Sequence, residues 1–432
     1  MRRVLLLFLV AGTAPGAPAA LDAQAVPEGS QAARVQPAYR RTPTFRHDPF
    51  RHAMIPHWGF VVAAGATGEN NSLNFADVRA LIYLQDQDSL LPSDVLNAIN
   101  LIPQGLGLKG VAQGEGGLYL GGPFGGHFGL GMSLQGRGYG AFNLDDDFVA
   151  LLRDGTGSRQ SFALGSSKGA GLATAEGGAH AVLRFGPLGS EDGVHLNLGV
   201  GGRYIKPVFF ARAGSTVTSG DEIRVTNDSI IVDVEVQWAH TGSPDLDSVL
   251  NAEAGIATDF LLRLTWPTSG FALEAMVANI GKLTLHDVEV ETRRLQVRTS
   301  NIGDVADSLD TSDSLAVVDT TDLQVTLPRI VRFMASAWAN RFLQVDISTT
   351  LPVKGDFESP LAVDIGTTWR LIRVLPLRAG VVIGGGQKGV GFTGGFAIEG
   401  RNSFLQVFGQ SLGGFLEKAN GAGGRVELGF FF

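Results

Sequence analysis

Along most of the chain, apolar and polar residues alternate one by one. In HFGLGMSLQGRGYG, Phe128, Leu130, Met132 and Leu134 alternate with Gly129, Gly131, Ser133 and Gln135. The same period runs through VHLNLGVGG (Leu196, Leu198, Val200), DFLLRLTW (Phe260, Leu262, Leu264, Trp266) and GFALEAMVANIG (Phe271, Leu273, Ala275, Val277). It returns in FLQVDIST, LAVDIGTTW and GVGFTGGFAIEG, and again in the closing GGRVELGFFF, where Val426, Leu428, Phe430 and Phe432 oppose Arg425 and Glu427. A period of two is that of a β-strand, so the chain from Leu106 onward is predicted to be mostly strand. SFLQVFGQ departs from the rule, with Phe404 and Phe408 on one face and Leu405 and Val407 on the other. Either both faces are buried there or the register shifts.

The second face decides the class. A soluble sandwich also alternates, but its outer face looks at bulk water. Here that face is mostly Gly, Ser, Thr, Asn and Gln, with charges set singly in mid-strand: Arg263, Glu274, Asp346, Asp364 and Glu399. In lipid, strands can span only if every backbone group is paired, which forces closure, and strands of about 9–11 residues suffice to cross. The expected fold is therefore all-β: a transmembrane antiparallel β-barrel, with those five residues as candidates for the polar lumen and the small residues leaving room for a plug or cavity. A soluble exported sandwich is the competing class. Trp58, Trp266, Trp338 and Trp369 lie near proposed strand ends, where interface girdles favour them.

Short turns are read at 266–270, at Asn279-Ile280-Gly281 and at Ala339-Asn340, and GGGQKGVG at 384–391 reads as a turn between strands. Two helical signals interrupt the strands early: NNSLNFADVRALIYL, with Ser72 as a cap, and LLPSDVLNAINLIP, with Ser93 as cap and Pro103 closing it. A third, NLDDDFVALLRDG, has Asn143 as cap and aspartates in the first turn. Segment 300–327 is long and acidic, with Asp304, Asp307, Asp310 and Asp313 three apart. It reads as a solvated loop, with calcium the alternative.

The first residues, MRRVLLLFLVAG, place two arginines before a short apolar run, and small residues lead to Ala23-Gln24-Ala25. This is a signal peptide over 1–25, its apolar run too short for a spanning helix of about 20 residues. A polar, basic leader at 26–56 is assigned to the periplasm, and the barrel to 57–432, with a plug segment at 67–104.

Composition sharpens this in three places. Glycine supplies 59 of 432 residues, about twice the usual share of roughly 7%. Cysteine is absent, which removes disulfides, thiolate metal sites and cysteine nucleophiles. The formal charge of −8 argues against nucleic-acid binding. No catalytic motif has its required context, so no enzyme, catalytic residue, metal or cofactor is expected. His47, His52 and His57 recur at a spacing that suits neither one helix face nor one strand face.

Several stretches together carry a resemblance: IPHWGFVVAAGATGENNSLNFADV, PSDVLNAINLIPQGLGLKG, FGLGMSLQGRGYGAFNLDDDFVALLRDG, FALEAMVANIG and LPRIVRFMASAWA. In that order the chain resembles the FadL-like group of outer-membrane barrels, which includes long-chain fatty-acid channels and PorV-type secretion components. The resemblance implies about 14 strands, to within roughly two either way, with an N-terminal plug for which the helices near 73–84 and 93–102 are the natural parts. It implies passive passage of small hydrophobic or amphipathic solutes, or alternatively a non-transporting barrel that docks partners in secretion or envelope organisation. The group's Asn-Pro-Ala motif is matched here only by His47-Asp48-Pro49-Phe50, so no gating mechanism or ligand residue is carried over. The implied setting is the outer membrane of a diderm bacterium, with lipid, the barrel-assembly machinery and hydrophobic small molecules as partners.

The terminal phenylalanine, with another aromatic two residues before it, looks like the signal read by that machinery, which assigns Phe430 and Phe432 to assembly. Phe432→Asp is expected to reduce folded, heat-modifiable barrel in the outer membrane several-fold. Normal insertion, judged by the gel shift of unboiled membranes, would count against the assignment.

Overall fold

A computed structural model describes residues 48, 50–54, 57–74, 76–77, 100, 102, 107–147, 149–150, 161–163, 167–188, 193–215, 222–225, 230–241, 252–299, 316–340, 342–351, 353, 357, 361–372, 374–385, 389–414 and 418–432. The strands are β1 (Gly59–Asn70), β2 (Leu108–Pro123), β3 (Phe128–Leu144), β4 (Ser161–Ala163), β5 (Lys168–Leu188), β6 (Val194–Ser215), β7 (Glu222–Val225), β8 (Ile230–His240) and β9 (Gly255–Trp266). They continue as β10 (Phe271–Thr299), β11 (Ala316–Thr326), β12 (Ile330–Asn340), β13 (Leu343–Leu351), β14 (Ala362–Ile372), β15 (Leu375–Gly384), β16 (Val390–Glu399), β17 (Ser403–Leu412) and β18 (Gly421–Phe431).

All eighteen belong to one sheet, and its pairings are antiparallel. Fourteen form a closed ring: β1–β2–β3–β5–β6–β9–β10–β12 and then β13 to β18 in order, with β18 returning to β1. The closing pair runs in unbroken register from Gly59 opposite Phe431 to Glu69 opposite Gly421. The strands β4, β7, β8 and β11 extend the wall at one end. The 29-residue β10 shows how: its first part pairs with β9 and β12, and its second with β8 and β11.

The two ends differ as outer-membrane barrels require. At the end holding Gly59 and Phe431, strands are joined by short links such as 267–270, 341–342 and 400–402. At the far end the links are longer, among them 71–107, 241–254 and 300–315. The first end is therefore periplasmic and the second external. Trp58, Trp266, Trp338 and Trp369 all lie at the periplasmic end. Trp266 and Trp369 are on the outer face, whereas Trp338 shares the inner face with Arg332 and Ser336 and lies under the Arg370 guanidinium, 5.8 Å from its ring centre.

Burial alternates along the strands in the reverse of a soluble protein. The exposed positions are Phe260 and Leu262 on β9, Phe333 on β12, Val345 and Ile347 on β13, and Val426, Leu428 and Phe430 on β18. The buried ones include Asp259, Arg263, Glu274, Arg332, Asp346, Arg425 and Glu427. An apolar outer belt over a polar interior is a membrane barrel. No helix among the described residues is long and apolar enough to cross a membrane; the strands do the crossing.

Four expectations change. The turn at 279–281 is instead a bulge inside β10, with the pairing to β9 shifting between Val277 and Ile280 and Asn279 at φ +64°. The plug segment begins with strand, since β1 continues through 67–70; those residues pair on both sides, which leaves them no freedom to coil. Of the two expected plug helices, most residues lie outside those described, so a helical plug is not supported. The acidic segment is in part β11, paired with β10, while 300–315 lies outside the described residues. The expected helix after β3 is present at 146–147 and 149–150, where the Val149 amide donates to the Asp145 carbonyl at 3.0 Å, but its cap is Asp145, whose Oδ1 accepts from the Asp147 amide at 3.0 Å, because Asn143 is still in the strand.

SFLQVFGQ resolves in favour of two apolar faces. Phe404 and Phe408 point inward with Gln406, and their rings cover Gly429 and Gly395, where a Cβ would collide with them. An aromatic laid over a glycine fills the gap and pins the register.

Because Leu262 sits mid-belt on the lipid face, Leu262→Arg is expected to destabilise the barrel by about 2–4 kcal/mol. Guanidinium unfolding in phospholipid vesicles measures it; a change below about 0.5 kcal/mol would contradict the outward assignment.

Candidate functional site

The lumen is stratified. Nearest the periplasm lies the N-terminal segment, which enters the barrel rather than staying outside it as the leader assignment had it. Residues His52–Met54 form one turn of 3-10 helix, and Phe50, His52, Ala53 and Met54 are buried. Glycines make the room: a Cβ at Gly121 would strike the His52 backbone, one at Gly129 the Ala53 carbonyl, and one at Gly199 the Phe50 ring at 2.7 Å. Phe50 packs edge-on against His180, with ring centres 5.3 Å apart. His52 stacks on Tyr119 at 4.6 Å. Charges hold the segment from several sides. Arg51 donates to Glu427 at 2.7 Å and to Gln406 at 3.0 Å. Asp48 lies 3.5 Å from Arg332, and Arg184 donates to the Ala53 carbonyl at 3.0 Å.

Above the segment is a layer of paired charges. Arg203 makes a two-point contact with Asp259, both bonds at 2.9 Å, and reaches Glu176 at 2.5 Å. His180 Nε2 lies 3.1 Å from Asp259. The β10 bulge brings Asn279 into the same layer. Its amide donates to Asp259 at 2.8 Å and its side-chain NH2 to the Pro328 carbonyl at 2.6 Å, while its side-chain oxygen accepts from Arg203 and Arg137. A left-handed non-glycine residue is costly, and these four contacts hold it in place. On the other side, Arg425 bridges Glu115 and Glu427. A carboxylate or guanidinium taken out of water must be paired, and here each charge has a partner of opposite sign.

Beyond this layer, toward the outside, lies a cavity of about 150 Å³. Its walls are more apolar than polar, including Ala66, Val111, Ala141, Ile330 and Phe357; Arg137, Glu115 and Arg425 form a charged floor, and Glu69, Gln113 and Gln410 also line it. An apolar cluster of Leu172, Ile205, Phe210, Leu283 and Leu285, with Phe357 and Tyr139, fills the neighbouring interior.

All five residues singled out from the sequence lie on the inner face, in three groups apart from the central layer. Arg263 meets Glu274 at 3.3 Å, and Glu274 also accepts from Arg332 at 3.0 Å. Asp346 and Asp364 share Arg378. Glu399 lies 3.6 Å from Arg370. The central residues Arg137, Glu176, Arg203 and Asp259 were not singled out. Three could have been: Arg137 continues the parity of Gln135, Arg203 that of Asn197, and Asp259 that of Arg263. Glu176 lies in a segment whose alternation is carried by alanines and glycines, and the hydrophobic pattern there is faint.

Burial, with Arg51 alongside, pushes the His52 ring from its ordinary 6.5 down to about 3, against the opposing pull of Glu427 and Asp48. The sign follows. Above about pH 6.5 the ring is neutral whether the segment is docked or free. As pH falls from 6.5 toward 3, only the free segment takes up the proton, so docking weakens. Deuterium exchange at amides 50–54, corrected for intrinsic rate, is expected to rise by up to about 30-fold between about pH 7.5 and pH 5. In His52→Gln that rise should shrink. Equal protection at both pH values in the unmodified protein would overturn the linkage.

No protein-family model and no curated protein matches the chain. Among solved structures, the "TodX deltaS2S3 mutant monoaromatic hydrocarbon channel" superposes with a TM-score of 0.51 at 10% identity, covering 90% of this chain and 94% of that one. The Pseudomonas putida toluene transporter TodX gives 0.48 at 9% identity, and the Ralstonia pickettii toluene transporter TbuX 0.46 at 10%, each covering 90% of this chain and 93% of the other. At such identities the likeness is one of fold, and the first comparison carries it. The chain shares with that channel the architecture of a closed antiparallel barrel, the fold that the FadL-like resemblance implied.

Proposed function

We propose that this protein is an outer-membrane channel of FadL type for the passive passage of small hydrophobic solutes. The observation that carries the reading is the cavity: an apolar-walled space inside a closed barrel, on the external side of a charged layer and of a docked N-terminal segment. A solute entering from outside meets the apolar walls first. An engineered cavity of similar size, about 150 Å³, binds benzene, so one aromatic ring is the scale of cargo the space takes. The charged layer beneath is paired within itself and excludes ions, while the segment at 48–54 closes the periplasmic side and must shift for release. Matching channels are described as carrying monoaromatic hydrocarbons and toluene, which is the same class of cargo.

In this reading the chain is exported, loses residues 1–25, and inserts through assembly machinery that reads Phe430 and Phe432. Both are exposed at the end of β18, and the Phe432 amide donates to the Trp58 carbonyl at 2.9 Å, so the last residue also helps lock the closing pair of strands. Lipid covers the outer belt, and the protein performs no chemistry on what it carries.

Uptake of labelled ethylbenzene by cells with an intact outer membrane, with and without the gene, tests this. Uptake should rise several-fold with the protein present. Identical uptake of every apolar solute tried would remove the reading.

A further inference from the structure

One step above the charged floor, the inner wall carries a row of neutral polar residues. Sheet register sets it. Gln410 on β17 lies opposite Gly423 on β18, Gly423 opposite Thr67 on β1, Thr67 opposite Gln113 on β2, and Gln113 opposite Tyr139 on β3. The row beneath, made of Arg425, Gly65, Glu115 and Arg137, is the floor itself. Thr67, Gln113 and Gln410 all line the cavity. Gln410 reaches across β18 to donate from Nε2 to Thr67 Oγ1 at 2.7 Å. Gly423 clears its path, since a Cβ there would lie 2.6 Å from Gln410 Nε2 and 2.9 Å from Thr67 Cβ. Gln113 shares the inward parity of Glu115 and is exposed, so its amide is within reach of a solute. The floor is not: the Arg137 and Arg425 side chains are only 2% and 7% exposed. Tyr139, at the end of the row, is committed to Arg137.

Donors and acceptors decide what fits. With Nε2 given to Thr67, Gln410 presents its Oε1 as an acceptor. Thr67, having accepted, has its own hydroxyl proton to give, and Gln113 carries both an NH2 and a carbonyl oxygen. The arc therefore donates and accepts, and it bears no charge. A hydrocarbon uses none of this, and an ether or ketone only accepts. A hydroxyl does both, and the ring that carries it rests against Val111, Ala141 and Phe357. A carboxylate is a poor match, because Glu115 lies one row below and Glu69 one row above.

We infer that Gln113, with Thr67 and Gln410, makes the cavity selective for neutral aromatic solutes that carry a hydroxyl group, with Gln113 as the specificity-determining residue. The inference deepens the channel reading and rests on it for biological sense, but the binding itself is tested separately.

The full-length protein in lipid nanodiscs is titrated with 4-fluorophenol and 4-fluorotoluene, read by fluorine NMR and corrected for partition into empty nanodiscs. Gln113→Met keeps the length of the side chain and removes its polar group. It is expected to lower the phenol-to-toluene affinity ratio about three- to tenfold. Thr67→Val, which leaves Gln410 without its anchor, should lower the ratio in the same direction and serves if Gln113→Met fails to fold. In the unmodified protein labelled with nitrogen-15 glutamine, a side-chain NH2 signal should shift with 4-fluorophenol and stay in place with 4-fluorotoluene. An unchanged ratio in a folded Gln113→Met or Thr67→Val, or glutamine signals that respond to both ligands alike, would overturn the inference. Phenol binding that depends on Gln113, alongside null cellular uptake, would uphold the arc and reject the channel. Ethylbenzene uptake with an unchanged ratio would do the reverse.

Discussion

Lipid offers a strand no hydrogen bonds, so every backbone amide in the spanning region must be met by a neighbouring strand. Closure of β1 on β18 discharges that demand: the first and last strands pair along their length, and the fourteen-strand ring of described residues has no edge. Most other features follow from it. A closed ring has an inside and an outside, and the two-residue period then sends one set of side chains to lipid and the other to a confined lumen. The apolar belt, the placement of Trp266 and Trp369 at one rim, and the short links at the periplasmic end belong to the first set. The charge pairs, the cavity and the docked segment belong to the second.

Confinement changes what a charge means. On a soluble sheet, Arg203 or Asp259 would be solvated and nearly free of consequence. Inside the barrel each must find a partner, and the partners come from segments far apart in sequence: Arg51 with Glu427, Arg425 with Glu115, Arg203 with Asp259. The cations in these pairs are arginines, whose planar fork can serve two carboxylates at once and is less strongly hydrated than an ammonium. The β10 bulge serves the same end, delivering the Asn279 amide and side chain to a layer that a regular strand could not supply. The lumen glycines have a comparable logic. Gly121, Gly129 and Gly199 lie under the segment at 50–53, and any side chain there would displace it.

Much of this was legible in the residues. Val426, Leu428 and Phe430 against Arg425 and Glu427 show both faces of β18 directly, and Arg263, Glu274, Asp346 and Glu399 are inward because charges in mid-strand had nowhere else to go. The central layer was harder to see, since Glu176 lies among alanines and glycines that carry little pattern. The strand through 279–281 was harder still: Asn-Ile-Gly is turn-like in isolation, and only the pairing with β9, which resumes at Ile280 and Gly281 after the bulge, carries the strand through it.

By itself the sequence determined the class of structure, because a period of two with an apolar face and a small, polar face has one stable solution in lipid. It also determined which residues share a face, since parity along a strand is a local property. Only the tertiary structure decided who pairs with whom. The bulge at Asn279, the entry of the N-terminal segment onto its glycines, and the matching of charges across the lumen all depend on ring order and register. Those are fixed by contacts between strands up to the full length of the chain apart, and no local pattern encodes them.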